Sequence, residues 1–200
     1  MVRNRPSRTM LRWQDVLAAY SIGMFPMADP SVGTISWYAP DPRGVIDVNR
    51  CIPTRSLRRT IRSGVFEVRW NSDFHATIRH CAAREETWIS GEIIDAYSEL
   101  HARGWAHCVE CWREGSMRGG LYGVAMGSAF FGESMFSNET DASKVALMSL
   151  AQRLRERGFT LLDAQFLTPH LAKFGAVEIP REEYMERLSE ALSRTCSIHP

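Results

Sequence analysis

Two polar residues stand inside an apolar stretch near the end of the chain, in the segment FTLLDAQFL at residues 159–167. Alternate residues of a strand share one face, so a strand here places Asp163 and Gln165 side by side on an apolar face. A buried carboxylate is costly unless it is hydrogen-bonded, and the neighbouring carboxamide is a suitable partner. Such a pair can bind and orient a polar substrate group. It can equally be a structural pair at a strand end, and these residues alone leave both interpretations open.

A second segment, GGLYGVAMGSAFFGESMF at residues 119–136, is rich in glycine for a stretch that otherwise resembles two strands. Glycine weakens a strand and is favoured where another group must approach the backbone closely. Glu133 and Met135 lie in the apolar second half of this segment. The pattern predicts either a hairpin packed tightly on a helix or the wall of a pocket.

A third segment, TRSLRRTIR at residues 54–62, is a local basic cluster in a chain whose net charge is only +1. Leu57 and Ile61 are spaced for one face of a short helix. The other faces carry Arg55, Arg58, Arg59 and Arg62. Guanidinium groups bind phosphates bidentately, so this helix could contact a nucleic-acid backbone. A solvated helix face is the more ordinary interpretation and is preferred where nothing else supports phosphate binding.

The cysteines and histidines do not indicate a metal or redox site. Cys108 and Cys111 form a C-x-x-C, but an offset of three within a strand points the two side chains to opposite faces, and no second pair exists. The five cysteines are scattered through a chain large enough to fold without disulfides, so we expect reduced thiols. His107 and His170 lie in no nucleophile motif and are interpreted as structural residues.

The elements that must position these residues follow from apolar periodicity and from turn residues. Predicted helices cover residues 11–20, 54–62, 73–82, 91–104, 142–158 and 181–194. Three strand-like segments at 105–113, 119–127 and 128–136 predict an antiparallel meander. The strand at 159–167 follows the long helix as a crossover. This order predicts an α+β fold, and the Pro- and Gly-rich residues 29–44 predict a domain boundary.

Composition is typical of a globular protein, with 44% hydrophobic and 24% charged residues in 200. No apolar stretch approaches the roughly 18 residues of a membrane-spanning helix, and the start lacks the apolar centre of a secretory signal. We therefore expect a cytoplasmic protein without membrane contact.

Six blocks of the sequence carry a resemblance to a known family. They are AYSIGMFPM, WYAPDPRGV, TWISGEIIDAYSELHARGWAHCVECW, GGLYGVAMGSAFFGESMFS, DASKVAL and LLDAQFLTPHLAKFGAVEIPR. In this order and spacing, the chain from about Tyr20 to about Leu188 resembles the bacterial leucyl/phenylalanyl-tRNA–protein transferases. The ordered set is highly specific, although any single block is not.

The resemblance implies a small N-terminal domain over residues 1–45 and a catalytic domain over residues 46–200. The catalytic domain is expected to have the fold of the GCN5-related N-acetyltransferases, a mixed, mostly antiparallel sheet with helices. It also implies an enzyme without a cofactor, because the donor is aminoacyl-tRNA rather than coenzyme A. Consistent with this, the segment SNETDASK before the long helix contains no glycine for a pyrophosphate-binding turn.

The family's functional residues can be placed on this chain by the same resemblance. Its catalytic Asp and Gln correspond to Asp163 and Gln165. Its pocket for the amino-acid side chain corresponds to Trp88, Leu121, Phe130 and Met135, with its acidic residue at Glu133. Its basic helix for the tRNA acceptor stem corresponds to Arg55, Arg58, Arg59 and Arg62. Phe130 and Glu133 are three residues apart, so both can face one pocket only if the strand is bulged, as at Gly132.

The function implied by the resemblance is transfer of Leu, Phe or Met from the 3′ end of tRNA to an N-terminal Arg or Lys of a protein, which marks that protein for degradation. A monomer is expected. In this interpretation Gln165 accepts a hydrogen bond from the attacking amine, Asp163 accepts from the Gln165 carboxamide, and Glu133 attracts the cationic acceptor. Met27 replaces the family's usual Trp in one wall of the pocket, which leaves the preferred amino acid open. Asn138 replaces its usual Arg, which removes a cation that could contact RNA or peptide. The alternatives are an acyl-CoA-dependent N-acetyltransferase and a non-catalytic binder of protein N-termini.

Overall fold

The computed structural model describes residues 10–198. Residues 1–9 of the predicted N-terminal domain and residues 199–200 of the predicted catalytic domain lie outside the described residues. The helices are α1 (Trp13–Ser21), α2 (Arg55–Ser63), α3 (Phe74–Ala82), α4 (Gly91–Ala102), α5 (Ala142–Glu156), α6 (Pro169–Ala172) and α7 (Arg181–Leu192). The strands are β1 (Phe25–Ala28), β2 (Ile35–Tyr38), β3 (Arg43–Ile46), β4 (Glu67–Trp70), β5 (Ala106–Arg113), β6 (Ser116–Met126), β7 (Ala129–Ser137), β8 (Leu161–Gln165) and β9 (Ala176–Ile179).

Seven of these strands form one sheet in the order β4-β5-β6-β7-β8-β3-β9, and β1 pairs with β2 separately. Neighbouring strands in the sheet are antiparallel except for β7 and β8, which run parallel. The predicted α+β class and the β5-β6-β7 meander are confirmed. The crossover through α5 places β8 beside β7 in the same direction.

Local sequence signals begin and end several helices. The side chains of Thr54, Asp73 and Ser90 accept hydrogen bonds from backbone N–H groups in the first turns of α2, α3 and α4. These bonds satisfy donors that have no partner inside the helix. Gly64 ends α2 in the left-handed conformation at φ 62°, which glycine adopts without steric cost. None of the described helices is long and apolar enough to cross a membrane.

The sheet separates two apolar cores. One core contains buried residues of α1, α3, α4 and α7, and the other contains those of α2 and α5. Cys108 lies in the first core and Cys111 in the second, as an offset of three within a strand requires. Both are free thiols, and within residues 10–198 no group of three or more His, Cys, Asp or Glu side chains is arranged to hold a metal ion.

The glycine-rich strand β6 is explained mainly by close packing. A Cβ atom on Gly119 would lie 2.6 Å from Cβ of Ala142 at the start of α5. A Cβ atom on Gly123 would lie 2.4 Å from the ring of Phe130 and 2.3 Å from the carbonyl oxygen of Phe131. No side chain fits at either position, so the interpretation of a hairpin packed tightly on a helix holds for Gly119.

The N-terminal segment packs into the body of the molecule. Tyr20 of α1 and Phe25 of β1 are buried in the same core as Tyr97 of α4. Strand β3 is hydrogen-bonded into the large sheet and straddles the predicted boundary between residues 45 and 46. The division into two domains stays a prediction.

Candidate active site

The two parallel strands β7 and β8 pair over only three residues and then separate. The pairs join Ala129, Phe130 and Phe131 to Leu161, Leu162 and Asp163, in that order. A cavity of about 270 Å³ opens where the pairing stops, lined by residues 132–135 of β7 and 162–166 of β8 and beyond. Its volume lies just below the roughly 300 Å³ at the lower end of typical small-molecule sites. We refer to it as the β7–β8 cavity.

Most of the β7–β8 cavity is apolar. Among the residues predicted to form a pocket, Trp88, Leu121 and Met135 line it. Its other apolar lining residues are Met27, Ile46, Leu147, Leu150, Leu162, Ala164, Phe166 and Leu171. The resemblance placed only Met27 of these in a pocket wall. The others were not assigned, because apolar residues of a helix or strand give the same signal whether they line a cavity or fill a core. Phe130 is fully buried and is not among the lining residues.

A bulge in β7 turns Glu133 toward this cavity. Gly132 pairs with Gly123 and Ser134 pairs with Tyr122, so Glu133 is the extra residue with no partner across the strand. An extra residue breaks the alternation of side chains between the two faces. The bulge expected at Gly132 is therefore present, with Glu133 as the inserted residue.

Three donors surround the Glu133 carboxylate. Oε1 accepts from the hydroxyl of Tyr20 and from Nε2 of Gln165 at 2.8 Å. Oε2 accepts from the hydroxyl of Tyr97 at 3.0 Å, and the two tyrosine oxygens lie 2.6 Å apart. Desolvation by burial raises the pKa of Glu133 to about 7, although the two tyrosine hydrogen bonds oppose the shift. A carboxyl group that titrates near neutrality is unusual and typical of functional sites.

The Gln165 backbone is held in an uncommon conformation. Strand β8 also contains a bulge, because Val45 pairs with Asp163 and Gly44 pairs with Gln165, which leaves Ala164 unpaired. Gln165 has a φ of 62°, in the left-handed region that residues with a Cβ atom rarely adopt. Its N–H donates to Oδ1 of Asp163 at 2.8 Å. The strand thus ends in a turn that this hydrogen bond fixes.

Asp163 is fully buried and is bound by groups that sequence reasoning did not assign. Arg43 donates through Nε to Oδ1 at 3.0 Å and through Nη2 to Oδ2 at 2.6 Å. The hydroxyl of Tyr184 donates to Oδ2 at 2.8 Å. The interpretation that Asp163 accepts from the Gln165 carboxamide is wrong. Asp163 accepts a hydrogen bond from the Gln165 backbone N–H, and Glu133 accepts one from the Gln165 carboxamide.

The β7–β8 cavity has further polar lining residues besides Glu133, Asp163 and Gln165. They include Arg84, Thr168 and His170. Burial and the nearby cations Lys144 and Lys173 lower the pKa of His170, which favours the neutral imidazole. His170, interpreted from sequence as structural, is thus close to the site although it has no assigned role.

Helix α2 lies one helix away from the cavity. Its four arginines, Arg55, Arg58, Arg59 and Arg62, are all exposed, and within the described part of the chain none forms an ion pair. Leu57 is buried, whereas Ile61 of the predicted apolar face is 40% exposed. Thr60 donates to Asp141 at the start of α5 at 3.0 Å, and α5 contributes Leu147 and Leu150 to the cavity.

Comparison with known proteins gives consistent matches along the chain. A family model described as leucyl/phenylalanyl-tRNA protein transferase matches residues 45–189, and a model of the N-terminal domain of the same family matches residues 10–41. The chain is similar to proteins named leucyl/phenylalanyl-tRNA–protein transferase from three bacteria. It is 57% identical to that of Rubrobacter xylanophilus over 88% of this chain and 93% of the relative. It is 52% identical to that of Chlorobaculum parvum, over 92% and 97%, and 53% identical to that of Herpetosiphon aurantiacus, over 90% and 93%.

Among solved structures, L-PGS from Bacillus licheniformis is similar with a TM-score of 0.44 and 13% sequence identity. The match covers 80% of this chain and 55% of that chain.

Proposed function

Because this chain belongs to the leucyl/phenylalanyl-tRNA–protein transferase family, we propose that it transfers Leu, Phe or Met from aminoacyl-tRNA to the N-terminal Arg or Lys of acceptor proteins. The chain is an aminoacyltransferase. The observation that carries the finer proposal is the arrangement in the β7–β8 cavity, where the Gln165 carboxamide is held by Glu133 beside an apolar recess. The recess suits one bulky apolar side chain, and the carboxamide lies where the ester and the amine would meet.

Orientation is the main task of such an enzyme, since the aminoacyl ester is already activated. Correct placement of two reactants can lower a barrier by roughly 7 kcal/mol or more. In the reaction the amine nitrogen bonds to the ester carbonyl carbon, the bond from that carbon to the ribose oxygen breaks, and the amine proton passes to this oxygen. The α-amino group titrates near 7.7 to 8.0, so about neutral pH a part of it is already unprotonated.

Gln165 is proposed to bind the attacking amine. Its Nε2 donates to Glu133, which leaves the carboxamide oxygen to accept a hydrogen bond from the amine. The carboxamide is not a general base, because it has almost no affinity for a proton at neutral pH. Glu133 fixes its orientation, and the negative charge of the ionised carboxylate also favours a cationic acceptor residue.

The tRNA acceptor stem is proposed to lie along α2. Four exposed guanidinium groups on one short helix provide bidentate contacts to backbone phosphates. Helix α2 is attached to α5 by the bond from Thr60 to Asp141, so a duplex on α2 lies one helix from the β7–β8 cavity. We also propose that the enzyme is a monomer with an acetyltransferase-like fold and that it works in the cytoplasm. The proteins that it modifies are marked for degradation.

An acyl-CoA-dependent reaction is less well supported. Helix α5 begins after Asp141, whose carboxylate binds Lys144 at 2.7 Å and accepts from Thr60. A carboxylate at this helix start opposes the binding of a pyrophosphate, which needs unoccupied N–H donors and positive potential.

A direct assay tests the proposal. The protein is incubated with a peptide beginning with Arg and with either radiolabelled Leu-tRNA or radiolabelled acetyl-CoA. We expect label from Leu-tRNA to reach the peptide and label from acetyl-CoA to remain in solution. Gln165→Ala should lower the transfer rate at saturating tRNA without loss of the fold, whereas a wild-type rate in this variant would remove Gln165 from the mechanism.

A further inference from the structure

Arg43 on β3 is a fully buried cation with no role in the reaction steps proposed above. Besides its two hydrogen bonds to Asp163, Nη1 donates to the carbonyl oxygen of Gly23 at 3.0 Å. Its guanidinium carbon lies 4.8 Å from the ring centroid of Phe25 and 4.5 Å from that of Tyr184. Arg43 therefore connects β8 to the end of α1, to β1 and to α7.

The Asp163 carboxylate has no capacity left for a substrate. It accepts two hydrogen bonds from Arg43, one from the Tyr184 hydroxyl and one from the Gln165 N–H. A carboxylate offers about four lone-pair sites, so these donors occupy all of them. Burial opposes the charge on Arg43, but the hydrogen bond and charge of Asp163 raise its pKa, and the guanidinium stays ionised. The pair is thus a structural ion pair, and it acts on the site through the hydrogen bond from Gln165 N–H to Asp163.

We propose that Arg43 is a positioning residue for aminoacyl transfer, which holds Asp163 so that the backbone turn at Gln165 presents its carboxamide to the β7–β8 cavity. A residue with a Cβ atom remains at a φ of 62° only where its surroundings determine that conformation. The hydrogen bond from Gln165 N–H to Asp163 does so here, and Arg43 in turn fixes the Asp163 carboxylate in plane by two parallel bonds.

The geometry requires the fork of an arginine rather than a positive charge alone. In Arg43→Lys a single ammonium group replaces two parallel donors. The Asp163 carboxylate can then rotate, and its bond to the Gln165 backbone loosens. A displacement of about 1 Å at a reacting group lowers a rate on the order of 10²-fold. We expect Arg43→Lys to lower kcat by a factor of this order while the KM for Leu-tRNA changes little, since Arg43 does not line the cavity.

A double-mutant cycle tests whether Arg43 acts through Gln165. This test rests on the proposed function and uses single-turnover transfer of radiolabelled Leu from tRNA to the Arg peptide. The variants are Arg43→Lys, Gln165→Ala and the double variant. If Arg43 acts through Gln165, then Arg43→Lys lowers the rate in wild type but has no further effect in the Gln165→Ala background. Multiplicative losses in the double variant would overturn the proposal.

Arg153→Lys is the matched control. Arg153 also stacks on an aromatic ring, at 4.4 Å from the centroid of Trp70, and donates to the carbonyl oxygen of Ile198 at 3.1 Å. It does not line the β7–β8 cavity. A wild-type rate is expected for this control. An equal loss of rate in both lysine variants would mean that any such Arg→Lys change lowers the rate, and it would overturn the proposal.

Tyr184→Phe provides a second variant if Arg43→Lys does not fold, as judged by circular dichroism and thermal unfolding. It removes one donor to Asp163 and leaves the ring on Arg43, so the fold should persist. The same double-mutant cycle is then measured with Tyr184→Phe in place of Arg43→Lys. We expect Tyr184→Phe to lower the transfer rate of wild type by a smaller factor and to have no effect in the Gln165→Ala background. Failure of wild type to transfer Leu would contradict the proposed function instead, so the two failures are distinguishable.

Discussion

Glu133 is the residue whose charge state couples the site to pH. Its carboxylate accepts from Tyr20, Tyr97 and Gln165, and these three bonds are all available only when it is ionised. The pKa of about 7, raised by burial, places this ionisation in the physiological range. Protonation removes the negative charge that strengthens the hydrogen bond from the Gln165 carboxamide, so this group is less firmly held in acid.

The pH dependence of the rate follows from this titration. If Glu133 acts as proposed, transfer requires both an ionised Glu133 and an unprotonated acceptor amine, so below about pH 7 we expect the logarithm of kcat/KM to fall with a slope approaching two. Glu133→Gln cannot titrate, so its slope should be one, from the amine alone. The measurement is kcat/KM for the Arg peptide from pH 5.5 to 8.5 in both proteins, and equal slopes would exclude Glu133 as the second titrating group.

At the scale of single residues, the sequence predicts a site residue less well when its role depends on a partner far away in the chain. Asp163 and Gln165 could be selected because two polar residues interrupt an apolar strand. The partners of Asp163 could not, since Arg43 lies 120 residues from it in the chain. The bulge at Ala164 and the positive φ of Gln165 also break the strict alternation on which the expected side-chain bond between them depended.

At the scale of elements, helix α2 is held by its buried residue Leu57 and begins at a cap formed by the Thr54 side chain. Leu57 is its only buried member among the described residues, and the helix is attached to α5 through Thr60. Its exposed arginines are thus free of competing ion pairs within residues 10–198 and remain available to a polyanion. The strength of such binding should depend on salt, because each neutralised phosphate releases counterions.

The double variant Arg58→Ala/Arg59→Ala tests this surface. If both side chains contact duplex phosphates, the variant should weaken binding of Leu-tRNA and reduce the slope of log K against log salt by about 2. Arg187→Ala/Arg194→Ala removes the same charge from arginines that already pair with Glu183 and Glu190, so its slope should stay near that of wild type. Binding is measured by filter retention across a range of KCl concentrations. An unchanged slope in the α2 variant would mean that α2 is a solvated helix face that does not contact tRNA phosphates.

Contact between β6 and α5 makes a prediction about stability. An alanine at Gly119 places its Cβ atom 2.6 Å from Ala142 and 2.9 Å from the backbone nitrogen of Ser143, so α5 must move. Overpacking of this kind costs about 1–3 kcal/mol, and α5 carries Leu147 and Leu150 of the cavity. Gly91→Ala is the control, since nothing lies within 4 Å of its added Cβ. Urea unfolding should show a loss for Gly119→Ala only, and equal stability of both variants would contradict the contact.

The connections between elements were only partly predictable from sequence. Helix starts follow from caps such as Asp73, and the β5-β6-β7 meander follows from short turns between apolar segments. Strand β3 was not predicted to enter the large sheet, because it pairs with β8 and β9, more than 100 residues further along the chain. Strand β9 was missed for a related reason, since four residues bounded by Gly175 and Pro180 give too short a pattern.

On the scale of the whole molecule, the site is built by parts that are far apart in sequence. Tyr20 comes from α1, Tyr97 from α4, Glu133 from β7 and Gln165 from β8. The N-terminal segment also supplies the carbonyl oxygen of Gly23 to Arg43. Since these groups meet only in the folded chain, the environment that raises the pKa of Glu133 exists only there. The ionisation of Glu133 is therefore linked to folding.

This linkage gives a stability prediction with a definite sign. The pKa of Glu133 is about 7 in the folded protein, against 4.5 as its ordinary value. Between these values the folded protein keeps a proton that the unfolded chain has released, so raising the pH favours unfolding. The contribution of Glu133 to stability is fully present below about pH 4.5 and is lost as the pH rises to 7, by roughly 3 to 4 kcal/mol at 1.36 kcal/mol per pH unit.

Glu133→Gln is the reference, because it keeps the size of the side chain and cannot titrate. The free energy of unfolding of wild type, measured in urea at half-unit steps from pH 4.5 to 8, should fall relative to that of Glu133→Gln and level off above pH 7. Groups that titrate elsewhere in the chain affect both proteins equally and cancel in the difference. Parallel curves would mean that Glu133 is ionised at its ordinary pKa in the folded protein. The ionised carboxylate that holds Gln165 for transfer would then be present throughout this range without a loss of stability.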